Sequence, residues 1–280
     1  MCRPAGWLRQ PDDNVSFCQC ASAHDDLKRY LNPSTPVEGV TGAAGIQIFR
    51  QAVLDATIMK ITVLSRRALP SWMDIPENDK TEVIVLTDFL DYPSDLPARL
   101  AGHDACIWAL GKSSMGLSDG EYTRITYDYT MHFVNSLQEA GTKDKTGEPF
   151  RFIFVSGEGA DPSGKSNLKF ARIKGMTEKA LFDLPPSSNI KASVMRPAYF
   201  FPSINHPSDR ENIRSPTARA MDRLMTPIMK TILPSMYTPI EDLGLFAVEA
   251  GKGRWSDEKL FPNSKMRELI KALRTPENQQ

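Results

Sequence analysis

Through the middle of this chain, short apolar runs and stretches of helical spacing take turns, and that alternation limits the fold more than any other feature. The runs are Lys60 to Leu64, Val83 to Leu86, Ala105 to Leu110, Phe150 to Val155 and Ala192 to Met195. Their apolar residues follow one another instead of alternating with polar ones, as in strands buried on both faces of a sheet. Between them, Ile46 to Leu54, Leu96 to Leu100, Glu121 to Gln138 and Leu168 to Phe182 place apolar side chains at helical intervals. Strands separated by helices pair in parallel, because a parallel neighbour needs a long crossover. The expected fold is α/β, a doubly wound parallel sheet, with ligands gathering at the carboxyl ends of its strands.

Three stretches frame this pattern. Residues 1–36 show little periodicity beyond Leu27 to Leu31 and end in Asn32-Pro33-Ser34-Thr35-Pro36, so they read as an irregular N-terminal segment. Residues 37–196 form the sheet domain. Residues 197–280 read as a small helical lobe that shapes a substrate pocket, followed by a solvated tail. In that lobe Met221, Leu224, Met225, Ile228, Met229, Ile232 and Leu233 share one helical face, interrupted at Pro227, and are expected to be core. Ile240 to Ala250 and Met266 to Leu273 read as two further helices.

Composition narrows the partners. The 280 residues carry 34 basic and 34 acidic side chains, which argues against a broad basic field and against a nucleic-acid partner. No run approaches the roughly 18 apolar residues of a membrane span, and Met1 to Val15 lacks a signal peptide's apolar stretch, so a cytoplasmic location is expected. Cys2, Cys18, Cys20 and Cys106 are too few and too scattered for a disulfide framework. Cys18, Cys20 and His24 have no second ligand pair at zinc spacing, so no metal is expected.

Gly39-Val40-Thr41-Gly42-Ala43-Ala44-Gly45 sets glycines at three-residue intervals directly before the helical stretch from Ile46. Such a turn lets the backbone approach a pyrophosphate, whose charge is then held by amides at a helix N-terminus. The next apolar run ends in Ser65-Arg66-Arg67, about 20 residues on, where a dinucleotide site carries an acid for ribose hydroxyls or a base for a 2′-phosphate. Two guanidiniums there favour NADP(H) over NAD(H). Asp88, after the following strand, either sits by the adenine or caps a turn. The strand that should precede the glycine turn is poor, since Ser34-Thr35-Pro36-Val37-Glu38 holds one large apolar side chain. Two readings stand: Val37 to Val40 makes a short, poorly formed strand, or residues 1–38 are not the N-terminus with which the fold evolved.

From Gly39 to about Ala250 the sequence resembles the atypical short-chain dehydrogenases, in particular the Tat-interacting-protein-like oxidoreductases. The resemblance rests on Gly39 to Gly45 with Arg50, Ser65-Arg66-Arg67, Asp104 to Gly111, Tyr122 to Tyr129, Ser156 to Asp161, Lys174-Gly175 and Arg196-Pro197. It implies a Rossmann domain that binds NADP(H). The contacts expected are Gly39, Thr41, Gly42, Ala43, Ala44, Gly45, Ser65, Arg66, Arg67, Asp88, Phe89, Leu110, Gly111, Lys174 and Pro197.

In that family a serine polarises the substrate carbonyl, a tyrosine donates a proton, and a lysine four residues after the tyrosine lowers its pKa and holds the nicotinamide ribose. The chemistry needs these groups because hydride arriving at a carbonyl carbon creates an alkoxide. Ser156 matches the serine and Lys174 the lysine, but Phe170 stands in the tyrosine's place. Tyr199 and Tyr129 are candidate replacements. Two function classes follow: a reductase of a small carbonyl or enone using Ser156 and Lys174 with a displaced donor, or an NADPH-sensing protein with no substrate. A third reading comes from Gly159-Ala160-Asp161-Pro162-Ser163-Gly164-Lys165-Ser166, which satisfies the phosphate-loop pattern of nucleotide hydrolases.

Overall fold

The computed structural model describes residues 41–142 and 148–275. Gly39, the expected first strand Val37 to Val40, and Cys2, Cys18, Cys20 and His24 lie outside the described residues. Every described strand is parallel to its neighbour. Strand β1 (Ile61–Ser65) pairs with β2 (Thr81–Val85), while β3 (Ala105–Trp108), β4 (Phe150–Val155), β5 (Ile190–Arg196) and β6 (Leu260–Pro262) form a second sheet in that order. The five apolar runs are all strands, and β6 is an addition that its three residues were too short to announce.

Helices cover both faces, and the strands show why. In β4, Phe150, Phe152 and Phe154 point into one apolar core while Ile153 and Val155 point into the other. In β3, Cys106 and Trp108 share the first core and Ala105 and Ile107 the second. Side chains alternate sides with a period of two, so a run that is apolar throughout needs cover above and below. The first core is closed by α2 (Leu96–Ala101), α4 (Tyr129–Ala140) and α5 (Lys169–Phe182). The second is closed by α1 (Ala43–Leu54) with α8 (Ile240–Gly251) and α9 (Asn263–Leu273). Helix α8 approaches α1 at Gly244, where a Cβ would stand 3.0 Å from the Gln47 carbonyl oxygen.

The stretch expected as one helix is composite. Helix α3 (Asp119–Thr123) starts at a capping box, in which the Ser118 hydroxyl accepts from the Glu121 amide at 3.2 Å and the Glu121 carboxylate accepts from the Ser118 amide at 2.8 Å. A π-helical turn, Arg124–Asp128, then joins it to α4. After β5 come α6 (Pro207–Ile213) and α7 (Pro216–Thr231). The expectation for α7 is corrected here: Met221, Leu224, Ile232 and Leu233 are exposed, and Asp222 is the one described residue of the helix that is buried.

Candidate functional site

Parallel pairing sets the carboxyl ends of β1 and β2 along one edge of their sheet and those of β3, β4 and β5 along one edge of the other, the edges at which ligands of such folds gather. Thr41 and Gly42 are buried in the turn entering α1. Gly42 takes an extended conformation (φ −88°, ψ 161°), gives no side-chain cap, and the first turn of α1 (Ala43, Ala44, Gly45) carries no carboxylate. The positive end of a 12-residue helix that begins so is suited to an anion. At the end of β1, Ser65 is fully buried, and its hydroxyl accepts from the Arg67 amide at 3.4 Å. Arg66 is half-buried and Arg67 exposed.

Asp88 caps a turn. Its carboxylate accepts from the Leu90 amide at 3.0 Å and pairs with Arg124 of the π turn at 2.9 Å. Arg124 therefore offsets the Asp88 carboxylate, and its guanidinium lies 5.8 Å from the centre of the Tyr129 ring. Phe89 is buried with its ring 5.6 Å from that of Tyr129. At the end of β3 Leu110 is buried, and beside Gly111 a Cβ would meet nothing within 4 Å. At the end of β5 the Pro197 carbonyl accepts from the Glu158 amide at 2.9 Å, joining the loops after β4 and β5.

Ser156 and Lys174 come together, in an arrangement the sequence did not announce. Lys174 Nζ donates to the carbonyl oxygens of Ser156 at 2.6 Å and Val155 at 3.2 Å. The Ser156 hydroxyl, 3% exposed, donates to Glu178, whose carboxylate is also held by Arg196 through Nε at 3.0 Å and through Nη2. The next residue, Gly157, is the one whose missing side chain would point at the lysine: a Cβ there would lie 4.0 Å from Lys174 Nζ. Phe170, one helical turn before Lys174, puts its ring tip 3.8 Å from where a Cβ of Gly159 would be. Lysine thus faces a glycine, with a phenylalanine above it. Gly157, Glu178 and Arg124 were missed from sequence; the signal for Glu178 was its place four residues after Lys174, on the same helix face.

Neither candidate tyrosine resembles an activated acid. Burial, more than any other influence, holds both the Tyr129 and the Tyr199 phenols above their ordinary pKa. The Tyr199 hydroxyl lies 3.4 Å from Asp222. The phosphate-loop reading fails on geometry. Asp161 accepts from the amides of Ser163 at 2.9 Å and Ser166 at 2.7 Å, and its carbonyl accepts from Gly164 at 3.1 Å. Bonds from the Ser163 hydroxyl first, then from backbone amides including Lys165, hold its carboxyl below the ordinary range. A carboxylate of the chain occupies the cradle where phosphate would sit, and α5 starts only at Lys169.

Among the described residues there is no group of three or more His, Cys, Asp or Glu arranged for a metal, and no helix is long and apolar enough to cross a membrane. No protein-family model matches the chain. Over 146 residues it is 28% identical to leucinostatins biosynthesis cluster protein T of Purpureocillium lilacinum, covering 52% of this chain and 49% of that protein. Over 145 residues it is 27% identical to the mitochondrial protein fmp52 of Emericella nidulans, covering 51% and 58%. The chain therefore spans about half the length of the curated relatives it matches.

Among solved structures, the 3-oxoacyl-(acyl-carrier protein) reductase of Brucella melitensis in complex with NAD superposes with a TM-score of 0.55 at 12% identity, over 93% of this chain and 99% of that one. The RhlG/NADP active-site complex of Pseudomonas aeruginosa gives 0.56 at 12%, over 92% and 100%. The PhqB reductase domain of Penicillium fellutanum gives 0.57 at 11%, over 95% and 72%. The fold is the Rossmann-like fold of the short-chain dehydrogenases and reductases.

Proposed function

We propose that this chain is an atypical short-chain dehydrogenase of the Tat-interacting-protein-like kind that binds NADP(H) and has lost the family's own route of proton transfer, so that binding, not turnover, is its function. The observation that carries this reading is the setting of Lys174, which faces Gly157 and stands one turn from Phe170. The Ser156 hydroxyl is committed to Glu178, which makes it a structural group in this proposal.

The strand ends fit the cofactor. Amides at the start of α1 suit a pyrophosphate. Arg66, Arg67 and Arg124 outnumber Asp88 at the ends of β1 and β2, which suits a 2′-phosphate, and the NAD and NADP complexes named above are of the same fold. NADPH, when bound, supplies a hydride. This chain offers the resulting alkoxide neither a hydroxyl from residue 157 nor a phenol from residue 170. The loss of a positioned acid costs about 10² to 10⁴ in rate.

Titration with NADPH, NADH and magnesium ATP, followed by thermal stability, tests the reading. NADPH is expected to raise the melting temperature most, and R66A/R67A to weaken NADPH about tenfold or more while leaving NADH nearly unchanged. Wild-type protein is expected to leave NADPH unoxidised across a panel of small carbonyls and enones, and G157S/F170Y to gain about 10²-fold in turnover. No stabilisation by NADPH would sink the cofactor assignment; wild-type oxidation as fast as the double variant's would sink the binding-only assignment.

A further inference from the structure

A cavity of about 480 Å³ lies between α6, α7 and residues Ser203 and Ile204 of the segment that follows β5. It is large enough for a small organic ligand, whose sites span roughly 300 to 1,000 Å³. Arg210 and Glu211 line it from α6; Pro216, Arg219 and Arg223 line it from α7 at the spacing of one helix face. Two helices that face each other ordinarily turn apolar side chains inward. Here the faces carry three guanidiniums.

Among the described residues, none of Arg210, Arg219 and Arg223 is ion-paired with a carboxylate. Arg210 Nε is buried with no hydrogen-bond partner. Pro216 is the first residue of α7, whose N-terminus is capped by the Ser215 hydroxyl accepting from the Ala218 amide at 3.2 Å, so the arginines supply the charge that faces the cavity. Glu211 offsets one of the three charges, leaving an excess of two. A phosphate dianion matches that excess and a single carboxylate does not, and guanidinium forks suit phosphate oxygens.

We propose that this cavity is a second anion site, for a small molecule bearing a phosphate or diphosphate group, independent of the nicotinamide site. The probe is inorganic pyrophosphate, titrated by calorimetry into the full chain at constant ionic strength. Saturable binding is expected, weakened about tenfold or more in R219A/R223A, largely kept in R219K/R223K, and unchanged in R66A/R67A. Arg219 is half-buried and Arg223 exposed, and R219Q/R223Q stands in if the alanine pair fails to fold. Absence of saturable binding to the wild type overturns the proposal. So does binding that R66A/R67A abolishes, or that R219A/R223A and R219Q/R223Q leave intact.

Discussion

Gly175 follows Lys174 on α5, and a Cβ there would overlap the backbone of Asp161 and Pro162. That contact seats the loop after β4 on the helix, where the Asp161 amide donates to the Ala171 carbonyl at 2.9 Å. Backbone cannot swing aside as a side-chain tip does. Gly175→Ala is expected to cost about 1–3 kcal/mol of stability and to weaken NADPH by displacing Lys174; an unchanged urea midpoint would contradict the close approach. The pair Lys174-Gly175 was readable in the sequence as a family signature. The direction of the neighbouring side chains was not. Ser156 and Gly157 are adjacent, and only the packing of Glu178 and Arg196 decides which of them meets the lysine.

At the scale of elements, α7 shows how far periodicity reaches. Its apolar stripe was legible, and a stripe states that a helix has two faces without stating what lies against either. In the folded chain Leu224 is 64% and Ile232 70% exposed. Leu224→Gln and Ile232→Gln are therefore each expected to change stability by less than about 0.5 kcal/mol. Phe133→Ala, at a fully buried side chain of α4, should cost about 3–5 kcal/mol. Chemical denaturation compares them directly, and equal losses would mean that α7 is covered after all. Four of the five strands follow from burial on both faces, which leaves an unbroken apolar run; β2 is a correction, a strand as expected but with Val83 38% and Val85 54% exposed, and the π turn at Arg124–Asp128 leaves no mark on apolar spacing that separates it from ordinary helix.

Across the whole molecule, α1 and α6 are tied by a buried ion pair. Arg50 on α1 meets both carboxylate oxygens of Asp209 on α6, at 2.6 and 2.8 Å, and its Nε donates to the Asp74 carbonyl at 3.3 Å. The two side chains are 3% and 1% exposed. Asp209→Ala would strand a guanidinium out of water and is expected to cost about 3–5 kcal/mol, with most of it recovered in R50M/D209L. Urea unfolding of the single and double variants measures both, and a loss under about 1 kcal/mol for Asp209→Ala would show the pair to be dispensable.

The sequence by itself determined the five longer strands, the helices that alternate with them and their parallel pairing, because those follow from local periodicity. Tertiary structure alone decided that Arg124 would neutralise Asp88, that Glu178 would hold the Ser156 hydroxyl, and that three arginines would face a common cavity. These are meetings of side chains distant in the chain, and their geometry is set by how layers pack, which no short stretch of residues encodes.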